Sequence, residues 1–320
     1  MATRLEAMRD NCRVVTRVVG EELYAAAIDL AERLPEDVQR ARLICLPIVM
    51  SITRDMIDRE MRSLATQRGP SINSIATSLD LPFETVRRNI LRLHAANWVE
   101  IGEAGGVTLP NPVPASLATW CVELGGRLRR IAERIEALGA TDPRPIGDGS
   151  CDNSCILGAL DLCLAMAGTK KHFGLRFTEL LVVNFVCTAS VVHLNAGGAG
   201  TNPYAEPDTV PPDAERAFIP LDELAKTIGV SRSTIYRIVS NAERSNLFER
   251  RGYAVRPAAS LLGSPTYVQA LQLVAGRTAT LFSRIERHRC GLGCTALDQV
   301  LGRPRPWRQT STLLPRPEIG

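Results

Sequence analysis

Residues 75–93, IATSLDLPFETVRRNILRL, and residues 224–239, LAKTIGVSRSTIYRIV, decide how this chain is read. Ile72, Ile75, Ala76 and Leu79 fall on Leu221, Leu224, Ala225 and Ile228, 149 positions later. Each set has the i, i+3, i+4, i+7 spacing of an amphipathic helix's buried stripe, which predicts helices over Ser71–Leu79 and Leu221–Ile228. The residue after each helix needs a left-handed backbone. Gly229 adopts one freely, and Asp80 is among the few others that tolerate it. Leu81 and Val230 then plug the gap before a second helix, Phe83 to about Ala96 and Arg232 to about Ser245. Ser231 is a good N-cap, and Pro82 suits an opening position because no amide donor is needed there. Val86, Ile90 and Leu93, matched by Ile235, Val239 and Ala242, point inward. The outward faces carry Glu84, Thr85, Arg87, Arg88 and Arg92 in one segment, and Arg232, Ser233, Thr234, Tyr236 and Arg237 in the other.

The correspondence extends in both directions. Thr85, Arg88, Asn97 and Glu100 meet Thr234, Arg237, Asn246 and Glu249 with identity at all four positions. Two short apolar runs follow each second helix: Trp98–Ile101 and Val107–Leu109 around Gly105-Gly106, then Leu247–Arg250 and Tyr253–Val255 around Gly252. Each pair predicts a β-hairpin. At a shift of 150, Gly126-Arg127 and Arg134-Ile135-Glu136 fall on Gly276-Arg277 and Arg284-Ile285-Glu286. These lie in a long helix whose seam, Leu117, Cys121, Leu124, Leu128, Ile131, Ile135 and Leu138, advances by alternating fours and threes. Its counterpart is Tyr267, Leu271, Val274, Thr278, Leu281, Ile285 and His288. Two tandem copies, 1–150 and 151–295, account for the pattern. A Pro/Arg-rich tail, 296–320, reads as mobile, and the Gly/Pro-rich stretch Asn195–Asp213 as a flexible loop.

Two helices, a three-residue turn and a trailing hairpin resemble the winged helix-turn-helix of bacterial transcription regulators of the MarR and IclR type; GntR-like regulators share the pattern. About forty residues per copy carry the resemblance. It implies a mainly α protein with two winged units and long flanking helices, forming a MarR-like pseudo-dimer within one chain. It also implies that the second helix reads the major groove while the hairpin touches backbone or minor groove. The paired reading helices would stand about one DNA turn, ~34 Å, apart. In the alternative arrangement each seam packs against its own copy's first helices. Double-stranded DNA is then the expected partner, with Thr85, Arg87, Arg88, Arg92, Arg232, Ser233, Thr234, Tyr236 and Arg237 on the helices and Arg250 and Arg251 on the second wing. An arginine fork bonds both major-groove acceptors of guanine, whereas hydroxyls at a helix start bond phosphates. Substitution of Arg134, on the long helix, is expected to change binding little.

Charge separates the copies. Residues 218–257 hold seven Lys/Arg against four Asp/Glu, +3, whereas residues 71–110 hold three against four, −1, with Glu100 and Glu103 on the wing. The second copy therefore reads as the stronger DNA contact, and the first as a weaker reader or a partner-binding surface. Homodimerisation of the whole chain is a further expectation. Two other readings stand beside the regulator: a plasmid-type replication initiator, and a winged-helix interaction module that binds no DNA.

The 320 residues are 45% hydrophobic and 22% charged, with a net charge of +4, which excludes a largely disordered polymer. All but Lys170, Lys171 and Lys226 of the 38 basic residues are arginine, which suits phosphate and guanine contacts. The most apolar stretch, Leu180–Leu194, carries Asn184 and His193 and is shorter than a membrane span, so it reads as a buried helix. The first residues have no uninterrupted apolar core, which points to the cytoplasm. Nine cysteines fit reduced thiols better than a disulfide framework. Cys151 with Cys155, and Cys290 with Cys294, form two CxxxC pairs, a less favoured zinc or redox-sensing set. His94, His172 and His193 read as structural or solvent-facing. No GxSxG elbow, phosphate-binding Walker loop, HExxH or dinucleotide fingerprint is present, so neither catalysis nor a cofactor is expected.

Overall fold

The structure is a computed structural model and describes residues 4–62, 68–140, 152–197 and 204–287. It is mainly α. Helices α1 (Arg4–Asp10), α2 (Cys12–Arg33) and α3 (Arg42–Met61) precede α4 (Ile72–Leu79) and α5 (Phe83–Ala95). The strands β1 (Glu100–Ile101) and β2 (Val107–Thr108) follow, then the long helix α6 (Ala115–Ala137). The second half runs α7 (Asp152–Gly168), α8 (Lys170–Phe173), α9 (Phe177–Ala189), β3 (Ile219–Pro220), α10 (Leu221–Ile228) and α11 (Arg232–Arg244). It ends with β4 (Phe248–Arg251), β5 (Ala254–Pro257), α12 (Ala259–Leu262) and the long α13 (Pro265–Arg287). Among the described residues no helix is long and apolar enough to cross a membrane.

The local chemistry explains these boundaries. Asp80 ends α4 and Gly229 ends α10 in the left-handed region, at φ +51 and +68. The amides of Leu81 and Val230 then return to the carbonyls of Ala76 and Ala225, satisfying acceptors that a helix end leaves open. Ser71 and Ser231 cap the next amides through their hydroxyls. Pro82 sits at the cap position of α5, one residue before the first helical turn, with φ −57. The repeated Asn97 and Asn246 both take positive φ, +57 and +53. Each lets the following amide bond back into its helix, Trp98 to Leu93 and Leu247 to Ala242, both at 2.8 Å. A backbone requirement therefore accounts for that asparagine in both halves.

Packing is interleaved. Helix α6 lies on α2 of its own half and on α7 of the other, while α13 lies on α7 and also on α2 and α1. Helix α3 packs on α7, and α9 packs on α2. Each of α3 and α9 supports the helix pair and the last strand of its own half. Exchanging α2 with α7, α3 with α9 and α6 with α13 leaves these contacts unchanged; only the contact of α1 with α13 has no counterpart among them. The seam residues of α6 from Leu117 to Ile135 are buried, as are Leu271 to Ile285 of α13, and Leu138 and Tyr267 are partly so. Each seam thus packs on helices from before and after residue 150. Gly158 permits the convergence of α6, α7 and α13, because a methyl group there would meet both Leu281 and Leu128. One continuous buried cluster runs from Met8 to Ile285, across residue 150.

Arginines reinforce these junctions. Arg127, Arg130 and Arg134 of α6 pair with Glu22, Asp29 and Glu21 of α2, with Arg127 to Asp29 and Arg134 to Glu21 both at 2.5 Å. Glu21 and Glu22 are buried, so Arg134 belongs to the framework. Arg13 and Arg17 of α2 are also buried. Arg13 donates to the carbonyls of Glu206, Pro207 and Leu262, and Arg17 donates to that of Tyr204 at 3.1 Å. Burial lowers the pKa of Arg17 to about 10. Within the expected flexible loop, the segment 204–213 is therefore fastened to α2, and residues 195–197 close a short 3-10 helix. The expected tail 296–320, with His288, Cys151, Cys290 and Cys294, lies outside the described residues.

Candidate nucleic-acid interface

Helix α11 presents its N-terminal turn and one face to solvent because Ile235, Ile238, Val239 and Ala242 hold the other face in the core. Ser231 Oγ accepts from the Thr234 amide at 3.2 Å and contacts Thr234 Oγ1 at 2.8 Å and Ser233 Oγ at 3.0 Å. Three hydroxyls thus cluster at the positive end of the helix, a setting that favours a phosphate oxygen. Arg232 is exposed and pairs with Asp222 of α10; such surface pairs hold only ~0–1 kcal/mol and yield readily to another anion. Arg237, one turn further on, is exposed and makes no hydrogen bond or ion pair among the described residues.

Tyr236 is half-buried and carries the Arg250 guanidinium 5.2 Å from its ring centre. Arg250 also donates to the Gly252 carbonyl at 2.9 Å and lies 3.8 Å from Glu243. It therefore ties the hairpin to α11. Arg251 is exposed without a partner among the described residues, beside Tyr253, which is 78% exposed at the hairpin tip.

Sequence reasoning missed the base of this hairpin. Arg256 sits opposite Glu249 in the β4–β5 ladder and donates to it at 2.8 Å. It also donates to the Asp213 carboxylate at 2.5 Å and lies 4.6 Å from the Phe218 ring centre. Arg216, 2% exposed, donates to the Pro257 carbonyl and to Asp213. Chiefly through the Arg216 bond, and then Arg256, the Asp213 carboxyl is held below its ordinary pKa. Arg256 is therefore one of the seven basic residues of this segment that serves the scaffold. The signal lay in the sequence, since opposite charges facing each other across a hairpin stabilise it.

The first half offers a different face. Thr85 is half-buried, and its carbonyl accepts from Asn89 Nδ2 at 2.8 Å. Arg87 grips Glu84 with both arms, at 2.9 and 3.0 Å, and that bond lowers the carboxyl's pKa. Arg92 reaches Asn89 Oδ1 at 3.4 Å. Arg88 is exposed and makes no hydrogen bond or ion pair among the described residues, although its charge also helps hold the Glu84 carboxyl low. Phe83 and Leu91 are exposed on the same helix, at 48% and 42%. The β1–β2 hairpin pairs Glu100 with Thr108 and Ile101 with Val107, and it exposes Glu100 and Glu103.

Of the CxxxC cysteines, Cys155 is described and lies buried in α7. No group of three potential metal ligands occurs among the described residues. Burial pushes the thiols of Cys45, Cys121, Cys163 and Cys187 up to about 12, and that of Cys12 to about 11. Such thiols stay protonated and unreactive at neutral pH. The His94 ring nitrogen contacts the Val99 carbonyl at 3.0 Å, His172 is exposed and His193 is half-buried.

No family model, curated protein or solved structure matches this chain.

Proposed function

We propose that this protein is a sequence-specific DNA-binding transcriptional regulator, built from two winged helix-turn-helix units duplicated within one chain and packed as a pseudo-dimer. The observation that carries the proposal is the pair Arg88 and Arg237. They occupy the same repeat position on the outward face of α5 and α11, and both are exposed and make no hydrogen bond or ion pair among the described residues. A helix that exposes an unpaired guanidinium after a capped turn suits the major groove, where the fork takes both guanine acceptors. The exchange-invariant packing of the long helices supports the duplication, and the matched turns at Asp80/Gly229 and Asn97/Asn246 support a common ancestry for the two units. The second unit is the principal reader, with Arg251 on the wing and the hydroxyl cluster at the start of α11. For the first unit alone, exposed Phe83 and Leu91 and the acidic hairpin favour a protein-facing role.

Selection of bound sequences from a random duplex pool tests this reading. An enriched motif is expected, with affinity falling steeply as salt rises because bound arginines release counterions. Intact protein that ignores the whole pool at modest ionic strength removes the proposal. An enriched motif with a flat salt response removes the assigned arginines.

A further inference from the structure

Two cations cross between the halves at matching points. Arg42, the first residue of α3, donates from Nη2 to the carbonyl oxygen of Gly229, the left-handed residue that closes α10 in the other half. Lys170, the first residue of α8, donates from Nζ to the carbonyl oxygen of Asp80, the left-handed residue that closes α4. Its Nζ also lies 3.4 Å from Asp80 Oδ2. Each cation follows the first long helix of its own half, α2 or α7. Each meets the turn of the opposite helix–turn–helix.

We propose that Arg42 and Lys170 are positioning residues, a pair of crossed latches through which each half fixes the helix–turn–helix unit of the other. The end of a helix concentrates unsatisfied carbonyls and partial negative charge, so a cation placed there is held more firmly than on a neutral surface. Lys170 is buried and Arg42 half-buried, which limits screening by solvent. Gln39 Oε1 accepts from Arg42 Nη1 at 3.2 Å and aims the guanidinium. Apolar contacts share the location, since α4 touches α7, and Ile228 lines a small hollow with Ala27, Ile28, Ala31 and Leu43 of the first half.

Gly229 turns at φ +68, the left-handed region that Asp80 also occupies at +51, and the Arg42 guanidinium lies where a side chain at 229 would begin, so a larger residue there would displace it. The first turn accommodates an aspartate because a slimmer lysine approaches it. The latches set how far apart α5 and α11 stand and at what angle. This mechanical claim is independent of DNA binding; only its consequence for the spacing of two half-sites rests on the function proposed above.

Hydrogen exchange on the full chain tests the crossing. Arg42→Met is expected to accelerate amide exchange in residues 221–244 by about 10- to 100-fold, the loss of one charge-assisted bond, while leaving residues 72–95 unchanged. Lys170→Met is expected to do the reverse. Unaltered protection in α2, α6, α7 and α13 reports an intact framework. Loosening confined to the mutated residue's own half, equal loosening of both units, or no change in either overturns the latches. Should either methionine variant fail to fold, a transplant decides. Gly229→Asp alone should accelerate exchange in 221–244, and adding Arg42→Lys, which reproduces the first half's pair, should restore protection. A double variant no better protected than Gly229→Asp alone likewise overturns the proposal.

Discussion

The hairpin of the first half closes around residues 102–106 and displays Glu100 and Glu103, whereas that of the second closes around Gly252 and Tyr253 and displays Arg251. Their frames differ as well. The first rests on a two-residue ladder and the isolated bridge of Ser71 with Gly106; the second is a three-stranded sheet braced by Arg216 and Arg256. The turns and helix partners are nonetheless alike. What the two halves share is the backbone conformation of their turns and the pattern of helix packing, and what separates them is side-chain chemistry, on the hairpins and also at buried positions such as Leu128 and Thr278.

The largest expected effect probes the shared framework. Leu128 of α6 corresponds to Thr278 of α13, and both are fully buried. Leu128→Ala should cost about 2–5 kcal/mol in urea denaturation, as cavity formation does. Thr278→Ala, which removes a hydroxyl bonded to the Val274 carbonyl at 2.8 Å, should cost nearer 1 kcal/mol. Equal costs would mean that the two seams are equivalent after all. Next comes the outward face. In fluorescence titrations with a selected duplex, Arg237→Ala should lose about 1–3 kcal/mol of affinity. Arg88→Ala should lose less, and Arg284→Ala, an exposed position on α13, nothing. A ranking led by Arg88 would reverse the roles of the halves.

A smaller and symmetric effect is expected where the halves agree. Asn97→Ala and Asn246→Ala should each cost about 1 kcal/mol, because alanine is strained at positive φ, whereas glycine at either position should be tolerated. The gentlest test uses acid. Asp213 titrates below its ordinary value in the folded chain through its bond from Arg216. A carboxyl so depressed contributes stability above its unfolded pKa, ~4, and loses it as pH falls through the folded value. Exchange protection of residues 248–257 should therefore decline on acidification before that of residues 100–108. Simultaneous loss would show that the Asp213 brace is not what distinguishes the second hairpin.

Much of the local structure was legible in the sequence because it is set by neighbours. The stripes Ile72–Leu79 and Leu221–Ile228, the left-handed Asp80 and Gly229, the Ser231 cap and the positions of both hairpins follow from residues within a few places of one another. The seam of α6 revealed which face is buried but not that α2 and α7 share it, since periodicity identifies a face and never its neighbour. The buried arginines were the least legible. Arg13 is satisfied by carbonyls up to 249 positions away, and Arg216 by one 41 positions away; nothing adjacent marks either as interior. Arg250 was placed correctly on the second hairpin, but its engagement with Tyr236 depends on how that hairpin folds back over α11.

The ionic network joining α2 to α6 has an evolutionary consequence. Two identical subunits related by a twofold must bring the same surface twice, so every residue at their contact is constrained on both sides at once. Once both copies ride on a single polypeptide, that obligation lapses. Arg127, Arg130 and Arg134 serve the α2–α6 seam, while the matching α7–α13 seam closes around Gly158 and Leu281. On the duplication proposed above, fusion frees each flank to drift alone, and an asymmetric site on the proposed duplex is the natural complement.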